Sequence, residues 1–469
     1  MFRKVGINTV LYGVGPQVSR VAGLLIMPLI SQSLTTRDFG VYGVVLSMSH
    51  AVSYLRTLGF DAIYTNVLVR HPRLFVMVWR HLSGIQTWWT LCLSICLFFV
   101  LLLFLRGEQN AVLSASLVSL PLALFATTES IFFRLHQVQQ KAFAVTWRVT
   151  FAGCVNVVVT FLTIGILELG YIGWFWGSFC GSLVAFTLMF SKVWIKEQLI
   201  PIIWIRWNHA WRWLRISLPI LPHYYGVYLL GTSDRLQLDI LRADRGQIGI
   251  YNAAGLIANF FSILSNASKN AVGPLYISLL KDRQYIKARN LIFVWQALFL
   301  ICTTFVGFWM PEIFGFFIRT DGMEQAPEMA IWVLMAVNYS PMYVGANSQL
   351  FFNEKTSKLW QRSLVAFAIN VVSNVVFFNV IGVYGVALST YITYLFFGYS
   401  TFLMRDYIKV SKIDLSPLFW LVMTLVATLV VLFMSTQLMA IKLGATFSIL
   451  VVGLLFFFFM NRQKKFFDL

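Results

Sequence analysis

Residues 85–105 read IQTWWTLCLSICLFFVLLLFL, without one charged side chain. A helix of that length rises about 30 Å, the thickness of a bilayer's hydrocarbon core. Runs of this kind recur from end to end. Hydrophobic residues make up 59% of the 469-residue chain and charged ones 12%, against about 25% charged in an ordinary soluble domain. The fold class that follows is an all-α polytopic membrane protein. Fourteen spans can be drawn: 8–30, 41–65, 85–105, 111–133, 146–166, 171–191, 213–232, 248–272, 290–311, 328–350, 363–381, 384–404, 416–434 and 443–461. The opening run, Asn8 to Ile30, is longer than a signal-peptide core and holds Arg20, Pro16 and Pro28. No small-residue cleavage site follows it, so it reads as the first span.

The formal net charge is +18, from 36 Lys and Arg against 18 Asp and Glu. In a soluble chain that balance would suggest nucleic acid; here the placement of the charges explains it. With the termini and every second loop on one side, that side collects 26 of the 36 basic residues and the other side seven. Arg20, Arg56 and Lys269 remain within spans. Positive residues accumulate on the cytoplasmic side. Both termini are therefore expected in the cytoplasm, the protein in a bacterial inner membrane, and nucleic acid is no partner.

The five cysteines lie in apolar segments, an odd count that speaks against a disulfide scaffold or a metal cluster. Walker, dinucleotide and serine-elbow motifs are absent, and so is a metal-spaced histidine cluster. Loops of at most about 20 residues leave no room for a soluble catalytic domain. The expectation is a protein that is not an enzyme, with no catalytic residues, no metal and no cofactor.

Two echoes divide the chain. Phe39-Gly40-Val41-Tyr42-Gly43 opens the second span and Ile248-Gly249-Ile250-Tyr251-Asn252 the eighth, 209 residues later. Gly173 in Tyr171-Ile172-Gly173-Trp174 matches Gly385 in Val383-Tyr384-Gly385-Val386, 212 residues on. Six spans separate the echoes, an even number, so the halves keep one orientation. That is a parallel repeat around a central cavity, with substrate between the halves. The expected organisation is a six-helix bundle over 1–192, a cytoplasmic linker over 193–212, a second bundle over 213–404 and two added helices over 405–469. Aromatic–glycine pairs also mark helix starts at membrane surfaces for reasons unrelated to duplication.

A charge near the bilayer centre costs about 2.5–3.5 kcal/mol even on the forgiving scales, so intramembrane charges point to function. Arg20 and Arg56 are such charges, and Asp61 follows Arg56 by five residues. An Arg56–Asp61 pair within one helix is the structural alternative. Glu129 lies near the cytoplasmic end of span four. In span eight, Asn252, Asn259 and Asn266 recur every seven residues, and Lys269 completes roughly the same face. This stripe reads as a cavity wall, with interhelical hydrogen bonding as its alternative. Further amides lie at Asn338, Asn347, Gln349, Asn370 and Asn374. Pro28, Pro219 and Pro222 are hinge candidates, because proline removes a backbone bond and bends a helix. A cavity rich in amides and lined by Arg20, Arg56 and Lys269 suits an anionic polar ligand, and the arginine fork suits phosphate oxygens.

The opening Asn8-Thr9-X-X-Tyr12-Gly13 through Pro28, then Phe39-Gly40-X-Tyr42 and Gly59, is matched in the second half by Asp234-Arg235, Gly249-X-Tyr251 and Pro274. As a set these motifs resemble the polysaccharide-biosynthesis family of oligosaccharide flippases, within the multidrug/oligosaccharidyl-lipid/polysaccharide exporter superfamily. The resemblance spans roughly residues 1–405. It implies movement of an undecaprenyl-pyrophosphate-linked oligosaccharide from the cytoplasmic to the periplasmic leaflet by alternating access, for O-antigen, capsule or a related surface glycan. The implied partners are that polyprenyl-linked oligosaccharide, membrane lipid and other glycan-assembly membrane proteins. The resemblance also places the cavity cations at Arg20, Arg56 and Lys269 and an acid after span seven at Asp234. Asp61, Glu129 and Asp234 are the candidates for ion coupling. The alternatives are a multidrug-type small-molecule exporter, which usually takes cations, and a membrane glycan polymerase or ligase, which needs a catalytic loop.

Overall fold

The computed structural model describes residues 17–70, 73–139, 141–204, 207–218, 221–353, 355 and 359–448. Among them every regular element is helical, and the fold is an all-α polytopic one. The chain divides into two compact units.

The first unit runs to Asp239, with Asp244–Gly249 and Phe317–Thr320 added. It holds α1 (17–30 as described), α2 (Thr36–Leu55), α3 (Asp61–Arg70), α4 (Phe75–Phe104), α5 (Ala111–Leu124) and α6 (Ala126–Val138). There follow α7 (Ala142–Thr160), α8 (Ile172–Phe190), α9 (Trp207–Ser217), α10 (Leu221–Gly231) and α11 (Asp234–Ile240). The second unit is Ile240–Ala243, Ile250–Phe316 and the chain from Asp321 onward. It holds most of α12 (Arg245–Lys281), then α13 (Tyr285–Phe308), α14 (Met310–Phe317), α15 (Ala326–Ala336) and α16 (Ser340–Phe352). After these come α17 (Leu359–Ile381), α18 (Val383–Tyr399), α19 (Arg405–Val410), α20 (Pro417–Ser435) and α21 (439–448 as described).

Nine helical stretches among the described residues are long and apolar enough to cross a membrane, and α5 with α6, bent by 47°, makes a tenth if the pair is one span. The packing has the polarity of a membrane protein. On α20 the buried face is Trp420, Thr424, Thr428, Val431 and Ser435, while Leu418, Phe419, Val422, Leu429 and Phe433 are exposed. In lipid an exposed leucine costs nothing, so small and hydroxyl side chains are free to mediate contacts between helices. Thr428 Oγ1 and Tyr391 OH, 2.8 Å apart, tie α20 to α18, and Lys442 Nζ on α21 meets Glu312 Oε1 on α14 at 2.6 Å.

The echoes fall where helices touch. Within the first unit, a Cβ on Gly40 would run into the carbonyl oxygen of Arg245, and one on Gly249 into that of Thr36. Each glycine thus meets the carbonyl four residues before the other. Gly173 is closed on by Thr163 and Ile164, and Gly385 by Phe377; in each unit the matching glycine lets the hairpin α7–α8 or α17–α18 close.

The expected second span, 41–65, is not one helix. α2 starts on a capping box in which Thr35 and Asp38 satisfy each other's backbone N–H groups, and it stops at Leu55. Leu58 (φ 50°) and Gly59 (φ 71°) then adopt left-handed backbone, which no right-handed helix accepts. The indole of Trp89 donates to the carbonyl of Leu55, 2.9 Å away, and satisfies one group freed by the break. Of the hinge candidates, Pro28 is buried in the last turn of α1. Pro219 lies outside the described residues. Pro222 lies within α10, and its side chain lies outside the described residues.

Candidate transport site

The break in α2 decides what the first unit offers. Arg56 caps the end of α2 and Asp61 begins α3, so the two are not neighbours on one helix. The Arg56–Asp61 pair, the structural alternative for these residues, is absent among the described residues. Asp61 Oδ1 instead meets the guanidinium of Arg134 on α6 at 2.5 Å, and its place at the start of α3 also suits a carboxylate. Arg134 lies one residue past the expected span 111–133, where sequence alone reads a loop. Arg56 makes no ion pair among the described residues, and Glu129 is within its electrostatic reach.

Glu129 stands in the first turn of α6, just past the bend from α5. It lines a cavity of about 330 Å³ with Asn156 of α7, Ser178 and Ser182 of α8, and Phe133. Arg20 is exposed on α1 and donates a long hydrogen bond, 3.4 Å, to Gln17. His50 of α2 is within electrostatic reach of Arg235 and Arg20. Arg235 and Asp234 are both buried at the start of α11. The first unit therefore brings Arg20, His50 and Arg235 together, and separately Arg56 with Glu129.

In the second unit the span-eight stripe divides. Asn252 is buried in packing, whereas Asn259 and Asn266 are exposed, about three turns and one turn before Lys269. Lys269 Nζ donates weakly to Asn266 Oδ1 (3.5 Å) and to Tyr339 OH (3.4 Å), and it stands 5.2 Å above the Tyr339 ring. No carboxylate pairs with it among the described residues. The other amides of this unit are structural. Asn338 bonds Thr303 of α13, Asn374 bonds Asn370, and Gln349 bonds Tyr407. Asn347 accepts from Arg362, a buried arginine that also donates to Ser400 and to the Phe397 carbonyl. Such amides read alike in sequence whether they face a cavity or a neighbouring helix; only the partner separates them.

The sequence profile of the family described as polysaccharide biosynthesis protein matches residues 5–280, more than half of the chain. The chain belongs to that family. No curated relative matches it. Among solved structures it is similar to the Lipid II flippase MurJ in an inward closed conformation, with a TM-score of 0.66 and 15% identity over 91% of this chain and 98% of that one. It is also similar to a multidrug resistance MATE family transporter of the MOP superfamily in an inward-facing conformation, with a TM-score of 0.63 and 13% identity over 87% and 97%. A MOP superfamily transporter from Pyrococcus furiosus matches with a TM-score of 0.56 and 13% identity over 87% and 94%. At these identities the likeness establishes the fold, that of multi-pass membrane transporters.

Proposed function

We propose that this member of the polysaccharide biosynthesis family is a flippase. It carries an undecaprenyl-pyrophosphate-linked oligosaccharide from the cytoplasmic to the periplasmic leaflet of a bacterial inner membrane by alternating access. The product serves O-antigen, capsule or a related surface glycan, and other glycan-assembly membrane proteins supply and take up the lipid-linked chain. The halves that alternate are the bundles 1–192 and 213–404, joined by 193–212, with 405–469 as an addition.

The observation that carries this reading is the unpaired state of Arg56. Among the described residues its sequence neighbour Asp61 is committed to Arg134 and Glu129 acts on it from beyond ion-pair distance, which supports leaving the guanidinium to an anionic ligand. Arg20 and Lys269 likewise have no carboxylate in contact among the described residues. Arg56 and Lys269 are half-buried cations whose desolvation a pyrophosphate would offset, and Arg20 is an exposed one. Asn266 supplies an amide beside Lys269, Asn259 a second one about three turns along the same helix, and Asn252 is buried at its start. Of the acids, Glu129 is the one we assign to proton coupling, because it faces a cavity and makes no ion pair among the described residues, while Asp61 is held by Arg134. Asp234, buried at the start of α11, is the second candidate.

Purified protein in liposomes should transfer an undecaprenyl-pyrophosphate-linked oligosaccharide between leaflets, read by its exposure to an added glycosidase. The MATE-like reading predicts export of cationic dyes instead. Dye export without glycolipid transfer would sink the flippase assignment.

A further inference from the structure

Around Lys269 the second unit assembles four aromatic rings that the span-eight stripe did not reveal. Tyr339 stacks on Tyr394 with centroids 5.0 Å apart and planes at 27°, and Tyr343 stacks on Phe397 at 4.7 Å and 26°. Tyr339 and Tyr343 are themselves 5.9 Å apart. Lys269 Nζ lies 5.2 Å from the first ring and 5.9 Å from the second. Helical spacing explains the cluster: Tyr339 and Tyr343 are one turn apart across the start of α16, and Tyr394 and Phe397 are i, i+3 on α18.

We propose that these rings are a saccharide platform. The C–H face of a sugar ring lies on Tyr343 and Tyr394 while Lys269 holds an oxygen of the adjoining phosphate. The inference rests on the flippase reading and deepens it. An aromatic face is electronegative, so it attracts an ammonium group and equally the weakly positive C–H bonds of a pyranose. All four rings are only partly buried. Core aromatics of the first unit, such as Phe60, Tyr64 and Trp79, are exposed by 2% or less. On α12, Asn266 beside Lys269 is exposed as well, and so is Asn259 about three turns earlier. Lipid tails would offer that lysine no counter-charge. A cationic drug would meet Lys269 as a like charge. A bare phosphate would use the lysine and ignore the rings. A sugar joined to a phosphate uses both.

The test is binding to the full-length protein in nanodiscs, with two probes: undecaprenyl pyrophosphate, and undecaprenyl pyrophosphate bearing an N-acetylglucosamine disaccharide. Wild type should bind the glycosylated probe about tenfold more tightly, the size of one or two ring contacts. Tyr343→Leu with Tyr394→Leu should abolish that preference while changing affinity for the sugar-free probe less than twofold. Tyr343→Phe with Tyr394→Phe should keep the preference, since the faces remain. Lys269→Met should weaken both probes. Should the leucine pair fail to fold, the wild-type preference alone still decides. Equal affinity for the two probes overturns the platform and leaves the flippase reading standing, as does a preference that survives the leucine pair. Failure of wild type to bind either probe overturns both.

Discussion

Asp61 gives its carboxylate to Arg134, on a different helix, and not to Arg56 five residues before it. The pair joins α3 to α6, and both side chains are about one-quarter exposed. Solvent screening reduces its worth to about 1 kcal/mol. Arg134→Ala should lower the midpoint of thermal unfolding in detergent by a few degrees. The double exchange Asp61→Arg with Arg134→Asp should recover most of that loss. No loss in the single variant would show that the pair contributes nothing.

Arg56 and Arg20 should behave as ligand-binding residues. Arg56→Ala and Arg20→Ala are expected to abolish surface glycan in cells that depend on this chain, with protein levels unchanged on immunoblots. Arg56→Lys should restore only part of the activity, because a point charge replaces a bidentate fork. Parallel loss of protein and glycan would instead make these arginines structural.

The division of labour between the acids is measurable. Reconstituted flipping should respond to an imposed pH gradient at fixed membrane voltage. Glu129→Gln should leave residual flipping that no longer responds, and Asp61→Asn should leave the response in place. A wild type indifferent to the gradient would end proton coupling through Glu129, whatever the variants do.

Topology can be read with single cysteines in a background without the native five. Cysteine at Glu324 should react with an impermeant reagent from the periplasm, and cysteine at Lys141 or Lys281 should not. All three positions are exposed. Lys442 is a poor reporter because its side chain is buried and bound to Glu312. Labelling at Lys281 from outside would reverse the orientation of the second half.

Much of this was legible in the sequence. Spans such as 85–105 follow from the absence of charge over the thickness of a bilayer, and the matching glycines at 173 and 385 do the same job in both units. The break at Leu58–Gly59 was not legible, because a glycine within an apolar run is tolerated in many membrane helices. That single error put Asp61 beside Arg56. The role of Arg134 was missed for a related reason: a basic residue near a membrane surface looks the same whether it orients the chain or grips an acid. The rings around Lys269 were missed because they come from α16 and α18, and no local pattern links those segments to α12.

Gly40 and Gly249 occupy one contact from both sides, each pressed against the carbonyl four residues ahead of the other. A methyl group on either would collide with the opposite backbone, so neither position can be relaxed by adjusting a side chain across from it. Over evolutionary time the two are therefore constrained as a couple: a lineage that acquires alanine at one must spread the crossing, and then the second glycine is no longer required. Among homologues the pair should be kept together or lost together. Sequences with only one of the two glycines should be rarer than independent loss would give.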